Sequence, residues 1–369
     1  MYLKITLKGP ARKLTLSSQI MKQIISAIKR NKSGKGGLSV GMDYDNTMVT
    51  TKEKERIFHP LTEDSAGVIE PMSGLGMLGI PIGVFTGNKP SYIDPLCVEK
   101  YRSWLYERNK VEAMENFRVY AQNATWLTSF NNFGEEVPKV SEAYAKQYLF
   151  PPEHIEAIKD AYTGPLQKTM AGRFMAEKPL VIRPAGSKEV HYAYGPIFEN
   201  RGGVQLSWIA VPGEVREEVI AAAYQRLDKD IRMLYRSEPG GEYSIDINHL
   251  HVAKNNGTIH FREEMRASLL LYFGDSVYKR GNYEGNDLPV VRDKNAIVFA
   301  VNQNQEEIPE HKRIIKAGVG PDATRDWLTW FLVKYVSVRL AIRHTPDVEK
   351  SRIVDAIIAA GLDEDVKIR

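Results

Sequence analysis

An α/β fold with an inserted α+β module is predicted from three observations on this 369-residue sequence. Two short apolar runs, Leu38-Ser39-Val40-Gly41-Met42 and Ile80-Pro81-Ile82-Gly83-Val84-Phe85, each stop abruptly at polar residues. Segments of helical period separate such runs, the order expected of a parallel sheet with helices on its faces. Between residues 181 and 250 the texture changes to closely spaced strand-like segments, and after Lys254 the strand–helix alternation returns. An interruption of this kind reads as a module inserted into the first domain.

The elements follow in order. A strand-like stretch over 2–7 precedes a helix expected over 15–31, where Ile20, Ile24, Ile25 and Ile28 share one face and Lys22, Lys29 and Arg30 the other. Ser33-Gly34-Lys35-Gly36-Gly37 lacks the spacing of a phosphate-binding loop and is read as a flexible lead into the first buried strand. Beyond Phe85 a helical stretch is expected over 91–114, then short strands over 117–120 and 125–130. Residues 140–178 read as helical, with a break and restart at Pro151-Pro152. The strand-rich block offers segments at 181–183, 190–194, 204–211 and 243–250, a helix over 213–228 and a short strand around 231–235. Buried strands are expected at 269–273 and 296–301, then helices over 322–343 and 347–361, the first with Trp327, Trp330, Phe331 and Tyr335 as a packing face. The expected organisation is an N-terminal extension over 1–36, an α/β core over 37–138 and 252–369, and a cap over 139–251.

Composition narrows the function classes. A formal net charge of +4 is too small to argue for nucleic acid and at most favours small anionic partners. No apolar run approaches the length of a membrane span, so no membrane partner is expected. Lys8, Arg12 and Lys13 interrupt any signal-like apolar core, and the single cysteine, Cys97, excludes an internal disulfide framework. A cytoplasmic location is the expectation; the oligomeric state is not legible.

The chemistry begins at Asp43-Tyr44-Asp45-Asn46-Thr47, at the end of the first apolar run. Residues i and i+2 of an extended strand point to one side, so both carboxylates can face one reacting centre. One can attack phosphorus while the other hands a proton to the leaving oxygen. Thr86 stands at the next strand end, a hydroxyl suited to a phosphoryl oxygen, with Gly87 permitting close backbone approach. Lys254, in His251-Val252-Ala253-Lys254-Asn255-Asn256-Gly257, can neutralise both nucleophile and phosphoryl group. Phe273-Gly274-Asp275-Ser276 is a further strand end with an acid, followed by Glu284-Gly285-Asn286-Asp287. With Asp43 these carboxylates form an all-oxygen environment that suits Mg²⁺ better than zinc or copper.

With these residues in this order, the chain resembles the haloacid dehalogenase-like (HAD) phosphohydrolases over most of residues 38–300. The pentad from Asp43 to Thr47 is similar to that family's first motif, Thr86 to its second, Lys254 to its third, and Gly274-Asp275 with Asn286-Asp287 to its fourth. A strand-rich module between the second and third motifs is similar to the type IIB branch, which includes phosphomannomutases, sucrose-phosphate phosphatases and mannosyl-phosphoglycerate phosphatases. The resemblance implies a Rossmann-like core with an inserted α+β cap. It also implies an aspartyl-phosphate on Asp43, acid/base work by Asp45, and a phosphoryl group held by Thr86 and Lys254. Asp43, Asp45 (through its backbone carbonyl), Asp275 and Asp287 would surround Mg²⁺. Thr47, Gly87, Asn88 and, from the cap, Arg201 are the expected substrate-binding residues. Two departures stand out: residues 277–283 lengthen the gap between Asp275 and Asp287, and Asn88 stands where many relatives carry arginine.

The expected function is a Mg²⁺-dependent phosphatase acting on a small-molecule phosphate monoester, a phosphorylated sugar or sugar derivative. A phosphosugar mutase would share the site, but the run Gly203-Val204-Gln205-Leu206-Ser207-Trp208-Ile209 has none of the arginines that would grip a second phosphate. A binding or regulatory protein that keeps the fold is the reading from another class. His249 and His251 alternate before Lys254, yet no third nitrogen or thiolate ligand accompanies them, so packing or a place at the substrate edge is expected.

Overall fold

The structure is a computed structural model and describes residues 3–5, 14, 16–30, 37–49, 57–58, 65–170, 180–182, 191–193, 196–240, 244–250, 252–280, 283–341, 347–360, 362 and 366–368. The glycine-rich lead at 33–36 and His251 lie outside the described residues. Four strands of the central sheet come before the cap: β1 Leu38–Asp43, β2 Ile82–Phe85, β3 Phe117–Ala121 and β4 Trp126–Ser129. The cap sheet is built from β5 Ile197–Arg201, β6 Gln205–Ile209, β7 Tyr235–Gly240 and β8 Ser244–His249. Three core strands follow: β9 Leu269–Gly274, β10 Ala296–Ala300 and β11 Ile314–Lys316.

The central sheet has seven strands in the order β11-β10-β9-β1-β2-β3-β4. All neighbours run parallel except β4, which returns antiparallel along β3. Alternation along the strands divides the buried side chains between two faces. Val40, Met42, Val84, Leu271, Phe273 and Phe299 enter one cluster, which the helices α1 Ser18–Arg30, α2 Ser65–Met77, α8 Gly320–Leu340 and α9 Asp347–Ala359 cover. Phe85, Tyr120, Leu270, Tyr272 and Val298 enter the other, with Phe261 of α7 Lys254–Glu264 and Tyr144 of α4 Pro138–Ala145. The buried Trp327, Trp330, Phe331 and Tyr335 are the packing face of α8.

The cap sheet is antiparallel, ordered β7-β8-β6-β5. Its apolar face buries Leu206, Trp208, Ile245 and Ile247 against α5 Pro152–Met170 and α6 Gly213–Arg226. Phe150 belongs to this cap cluster, whereas Tyr144 packs with the core. The strand-like segments near 181 and 191 form a separate small sheet with Ile57–Phe58.

Three local readings change. The strand expected around 231–235 is a helix, Lys229–Leu234, and the strand begins only at Tyr235. Ile231 and Tyr235 are buried four residues apart while Met233 is exposed, so the alternation of large apolar residues was incidental to a helical spacing. The single helix expected over 91–114 is divided: a π-helical turn over Asp94–Val98, with Pro95 near its start, precedes α3 Glu99–Tyr106, and a 3₁₀ turn follows over Val111–Asn116. Helix α2 escaped notice because it contains Gly67, Gly74, Gly76 and Pro71, all poor helix formers. Its buried Val68, Ile69, Met72 and Leu75 supply the tertiary contacts that override propensity.

Candidate active site

The carboxyl edge of a parallel sheet collects every strand's last residue and the loop after it, and here the candidate residues assemble at that edge. Asp43 closes β1, Thr86 follows β2, and Asp275 follows β9; β9, β1 and β2 are neighbours in the sheet. Register sets Met42 opposite Phe273 and Asp43 opposite Phe85, so Asp43 lies between Asp275 on one side and Thr86 on the other. Lys254 is the first residue of α7, and its buried ammonium donates to Asp43 Oδ1 at 2.8 Å and to Asp287 Oδ1 at 2.9 Å.

The long gap before Asp287 is taken up by a hairpin. Lys279–Arg280 pairs antiparallel with Tyr283–Glu284, Gly285 N–H donates to Tyr278 O at 2.9 Å, and Asp287 N–H donates to Ser276 O at 3.2 Å. The chain thus returns Asp287 to the strand end it left. Its fully buried carboxylate accepts from Tyr272 Oη at 2.7 Å and from Ser276 N–H at 2.9 Å as well as from Lys254. Gly274 makes this approach possible, since a Cβ there would lie 2.5 Å from the Asp287 carboxyl.

Asp43, Asp275 and Asp287 each offer a carboxylate oxygen, and these oxygens lie within 4.8 Å of one another. Burial raises the Asp43 carboxyl well above the usual carboxylate range, with Lys254 opposing and Asp287, Asp275 and Asp45 adding to the rise. Burial and Asp287 push Asp275 up to about 6, against Lys254 and hydrogen bonds from Ser276 and Asn46. Burial disfavours the charged form of Lys254, but Asp287 and Asp43 overcome it and hold the ammonium protonated. One ammonium faces three carboxyl groups, so full ionisation would leave uncompensated negative charge, and that repulsion adds to burial in raising Asp43 and Asp275.

The Asp45 carboxylate stands apart from that cluster and accepts from Asn88 Nδ2 at 2.7 Å. Burial raises its pKa, with Asn88 and Lys254 pulling the other way. Asn88 N–H donates to Thr86 Oγ1 at 3.0 Å, so the residue found in place of an arginine joins the second strand end to Asp45. Thr47 is buried, and its hydroxyl has no partner among the described residues. Gly87 contributes its carbonyl, which accepts from Arg201 Nη1 at 3.3 Å across the core–cap boundary. The same Nη1 donates to Gln205 Oε1 at 3.3 Å within the cap, and Arg201 Nε donates to Glu199 at 3.0 Å. His249 packs against Phe150 and Tyr235 within the cap, away from the carboxylates.

Sequence reasoning missed several participants. Tyr272 lies hidden inside an apolar run, although it hydrogen-bonds Asp287. Gln122, Asn123 and Ala124 follow β3 directly, at one more strand end of the same edge, and that position is the signal that could have found them. All three take left-handed backbone conformations, with φ of 52°, 56° and 68°. Such conformations cost an L-residue about 1–2 kcal/mol each. The turn is held because Gln122 N–H donates to Asn88 O at 2.9 Å and Asn123 N–H to Thr86 O at 3.0 Å. The side chain of Gln122 also donates to Arg201 O at 2.7 Å. Ala124 then meets α7 where Gly257 stands, at a spot where a Cβ on residue 257 would lie 2.5 Å from the Ala124 methyl.

A polar face of the cap sheet covers this edge. Glu199, Ser207, Asp246 and Glu238 form one cross-strand row, and Arg201, Gln205, Asn248 and Arg236 stand on the same face. Lys89, in the loop after Thr86, pairs with Glu199 at 2.8 Å, and Arg236 Nη2 donates to Val252 O at 2.6 Å, just before Lys254. Ser207 hydrogen-bonds Asp246. None of these row partners is adjacent in sequence.

No protein-family model matches the chain, and no curated protein matches it. Solved structures do. A C-terminally truncated IMP-nucleotidase of Plasmodium falciparum is similar with a TM-score of 0.52 at 14% identity, over 84% of this chain and 74% of that one. An IMP-bound mutant of the Plasmodium falciparum IMP-nucleotidase gives a TM-score of 0.50 at 14% identity, over 87% and 75%. A trehalose-6-phosphate phosphatase of Aspergillus fumigatus gives 0.47 at 9% identity, over 84% and 96%. A parallel sheet covered by helices on both faces, with its candidate residues at the carboxyl edge and a cap inserted between β4 and α7, defines a three-layered α/β class with an inserted α+β module. The chain has the haloacid dehalogenase-like fold, Rossmann-like core and α+β cap together.

Proposed function

We propose that this chain is a Mg²⁺-dependent phosphatase that works through an aspartyl-phosphate on Asp43 and acts on a phosphorylated sugar or sugar derivative. The observation that carries the reading is the Lys254 ammonium held between Asp43 and Asp287, at 2.8 and 2.9 Å, beside a third carboxylate from Asp275. The donor set fits Mg²⁺: hard oxygens only, with more negative charge than Lys254 offsets. Asp43, Asp275 and Asp287, with the backbone carbonyl of Asp45, are the residues that would hold it. When bound, the ion supplies positive charge against the repulsion between an anionic nucleophile and an anionic substrate.

The residues then divide the work. A carboxylate oxygen of Asp43 attacks phosphorus, with Lys254 orienting it and neutralising the phosphoryl group. Asp45, whose carboxyl burial shifts toward the protonated form, protonates the leaving oxygen, and Asn88 holds its carboxyl in place. The carboxylate so formed then takes a proton from water as the water attacks the phosphoryl-aspartate. Thr86, at the end of β2, would donate its hydroxyl to a phosphoryl oxygen. Hydrolysis is favoured over a mutase reaction because the polar cap face offers Arg201 and Arg236, both engaged by cap carboxylates, as its arginines.

The protein is expected to act in the cytoplasm, since its single cysteine, Cys97, is a buried free thiol suited to a reducing compartment. Among the described residues no helix is long and apolar enough to cross a membrane. The test is release of phosphate from a panel of monoesters with Mg²⁺: hexose phosphates, other sugar phosphates and IMP. Release from sugar phosphates that disappears in Asp43→Asn is the expected result. Interconversion of hexose 1- and 6-phosphates, dependent on a bisphosphate, would make the protein a mutase. A well-folded protein that turns over none of them would leave the binding reading.

A further inference from the structure

We infer that Gln205 and Asn248, on the polar face of the cap sheet, read a hydroxyl group on the leaving group of the substrate. The inference rests on the phosphatase reading and deepens it by naming residues that choose the ester. Both side chains are fully buried, at 0% exposure. They are neighbours across the β6–β8 ladder, one step beyond the Leu206–Ile247 pair, with Arg201 flanking Gln205 and Arg236 flanking Asn248.

Charged neighbours fix which end of each amide is free. Gln205 turns its oxygen to the Arg201 guanidinium at 3.3 Å, and a guanidinium has donors only, so its NH₂ is the open end. Asn248 turns its NH₂ to Glu238 Oε1 at 3.5 Å, and that carboxylate accepts, so its oxygen is the open end. Gln205 Nε2 and Asn248 Oδ1 have no partner among the described residues. A buried donor on β6 and a buried acceptor on the neighbouring β8 are therefore both unpaired among the described residues. Buried polar groups are ordinarily satisfied, and an exception calls for an account.

The face on which they stand lies over the reaction edge. Arg201 beside Gln205 reaches the Gly87 carbonyl, Arg236 beside Asn248 reaches the Val252 carbonyl, and the charge of Lys254 is felt at Glu238. A phosphate monoester bound at Asp43 would project its alcohol portion toward this face. A hydroxyl donates and accepts at once and satisfies both open ends. A carbonyl or ether oxygen satisfies one, and an apolar leaving group neither. The pair thus selects polyol-type phosphate esters over esters whose leaving group carries no second hydroxyl.

The experiment compares kcat/KM for glycerol 3-phosphate and hexose 6-phosphates with that for p-nitrophenyl phosphate, which has no further hydroxyl. Gln205→Met and Asn248→Leu should lower the ratio of the two classes about ten- to a hundredfold, the usual effect of removing a buried hydrogen-bond partner. Gln205→Glu keeps the shape and the pairing with Arg201 but presents an oxygen where the N–H was. It should lower the ratio equally, with the thermal midpoint retained, which separates recognition from folding. An unchanged ratio in all three variants, or losses equal for both classes, would overturn the inference and leave the pair serving an ordered water. Wild-type protein inactive on both classes would instead overturn the phosphatase reading, and this one with it.

Discussion

At the carboxyl edge of the central sheet the buried Asp43 and Asp287 share one ammonium, with the half-buried Asp275 beside them, whereas the cap's polar face sets Glu199, Asp246 and Glu238 against Arg201, Arg236 and the approaching Lys89. The first is largely buried and the second half-buried, and both depend on charged side chains. They differ in how charge closes. With its carboxyls ionised the core edge is left negative, a state that burial makes costly and that a proton or an added cation relieves. The cap face is close to balanced, so it presents hydrogen-bonding ends rather than net charge. On the proposed function, the region that would hold a metal and an anion is kept unbalanced, while the face proposed to distinguish neutral alcohols is not.

The strongest way to break this contrast is Asp43→Asn. Turnover should fall by on the order of 10⁴-fold or more, as when a nucleophile is removed. The thermal midpoint should hold or rise, because a buried, repelled carboxylate has been neutralised. A midpoint several degrees lower would mean that the edge is not in electrostatic deficit.

Next in size is Lys254→Met, which leaves Asp43 and Asp287 without their common cation. Breaking a buried pair on one side costs about 3–5 kcal/mol. Denaturant unfolding in EDTA should show that loss, and Mg²⁺ should restore part of it. A loss under about 1 kcal/mol would show that the lysine is not the charge partner that its 2.8 and 2.9 Å contacts make it.

The pH dependence of stability should have opposite signs in the two regions. Burial and Asp287 raise Asp275 from 3.8 to about 6, so between those values the folded chain holds a proton that the unfolded chain has released. Its contribution to metal-free stability therefore falls as pH rises through that window. For Glu199 burial acts upward, but Lys89 and Arg201 prevail and hold its carboxyl below the ordinary 4.5. Its contribution is present above that value and is lost as pH falls through the lowered pKa. Thermal midpoints from pH 3 to 7 in EDTA, for wild type, Asp275→Asn and Glu199→Gln, would resolve the two slopes. The same slope in both variants would erase the contrast. The smallest effect belongs to Lys89→Met: the lysine is 41% exposed, and an exposed pair with Glu199 is worth about 0.2–1 kcal/mol by chemical denaturation.

The same comparison explains what could be read from the sequence. Asp43, Thr86 and Asp275 sit where apolar runs end, and a strand's end is visible in one dimension because residue type changes there. Asp287 was harder, since the hairpin over 279–284 that returns it is a matter of pairing rather than pattern. Gln205 and Asn248 were invisible for a stronger reason. They meet only through the register of β6 on β8, with the whole of α6 and β7 between them in the chain. Gln, Asn and Ser also carry no spacing that marks a site. The alternation of Ile231, Met233 and Tyr235 misled because large apolar residues at every second position suit a strand, while burial at every fourth makes a helix.

The meeting of Ala124 with Gly257 acts as a calliper. The Thr86 jaw is braced by the left-handed turn that ends at Ala124, and the Lys254 jaw begins the helix that carries Gly257. The whole cap is threaded between the two jaws in the chain, yet their separation is gauged outside it, by a methyl group resting against bare backbone. A different lid could be spliced between β4 and α7 without resetting that gauge, whereas one added methyl at position 257 would force the jaws apart beneath any lid. On the proposed function, the grip on the phosphoryl group would in this way be mechanically insulated from the choice of what it is taken from.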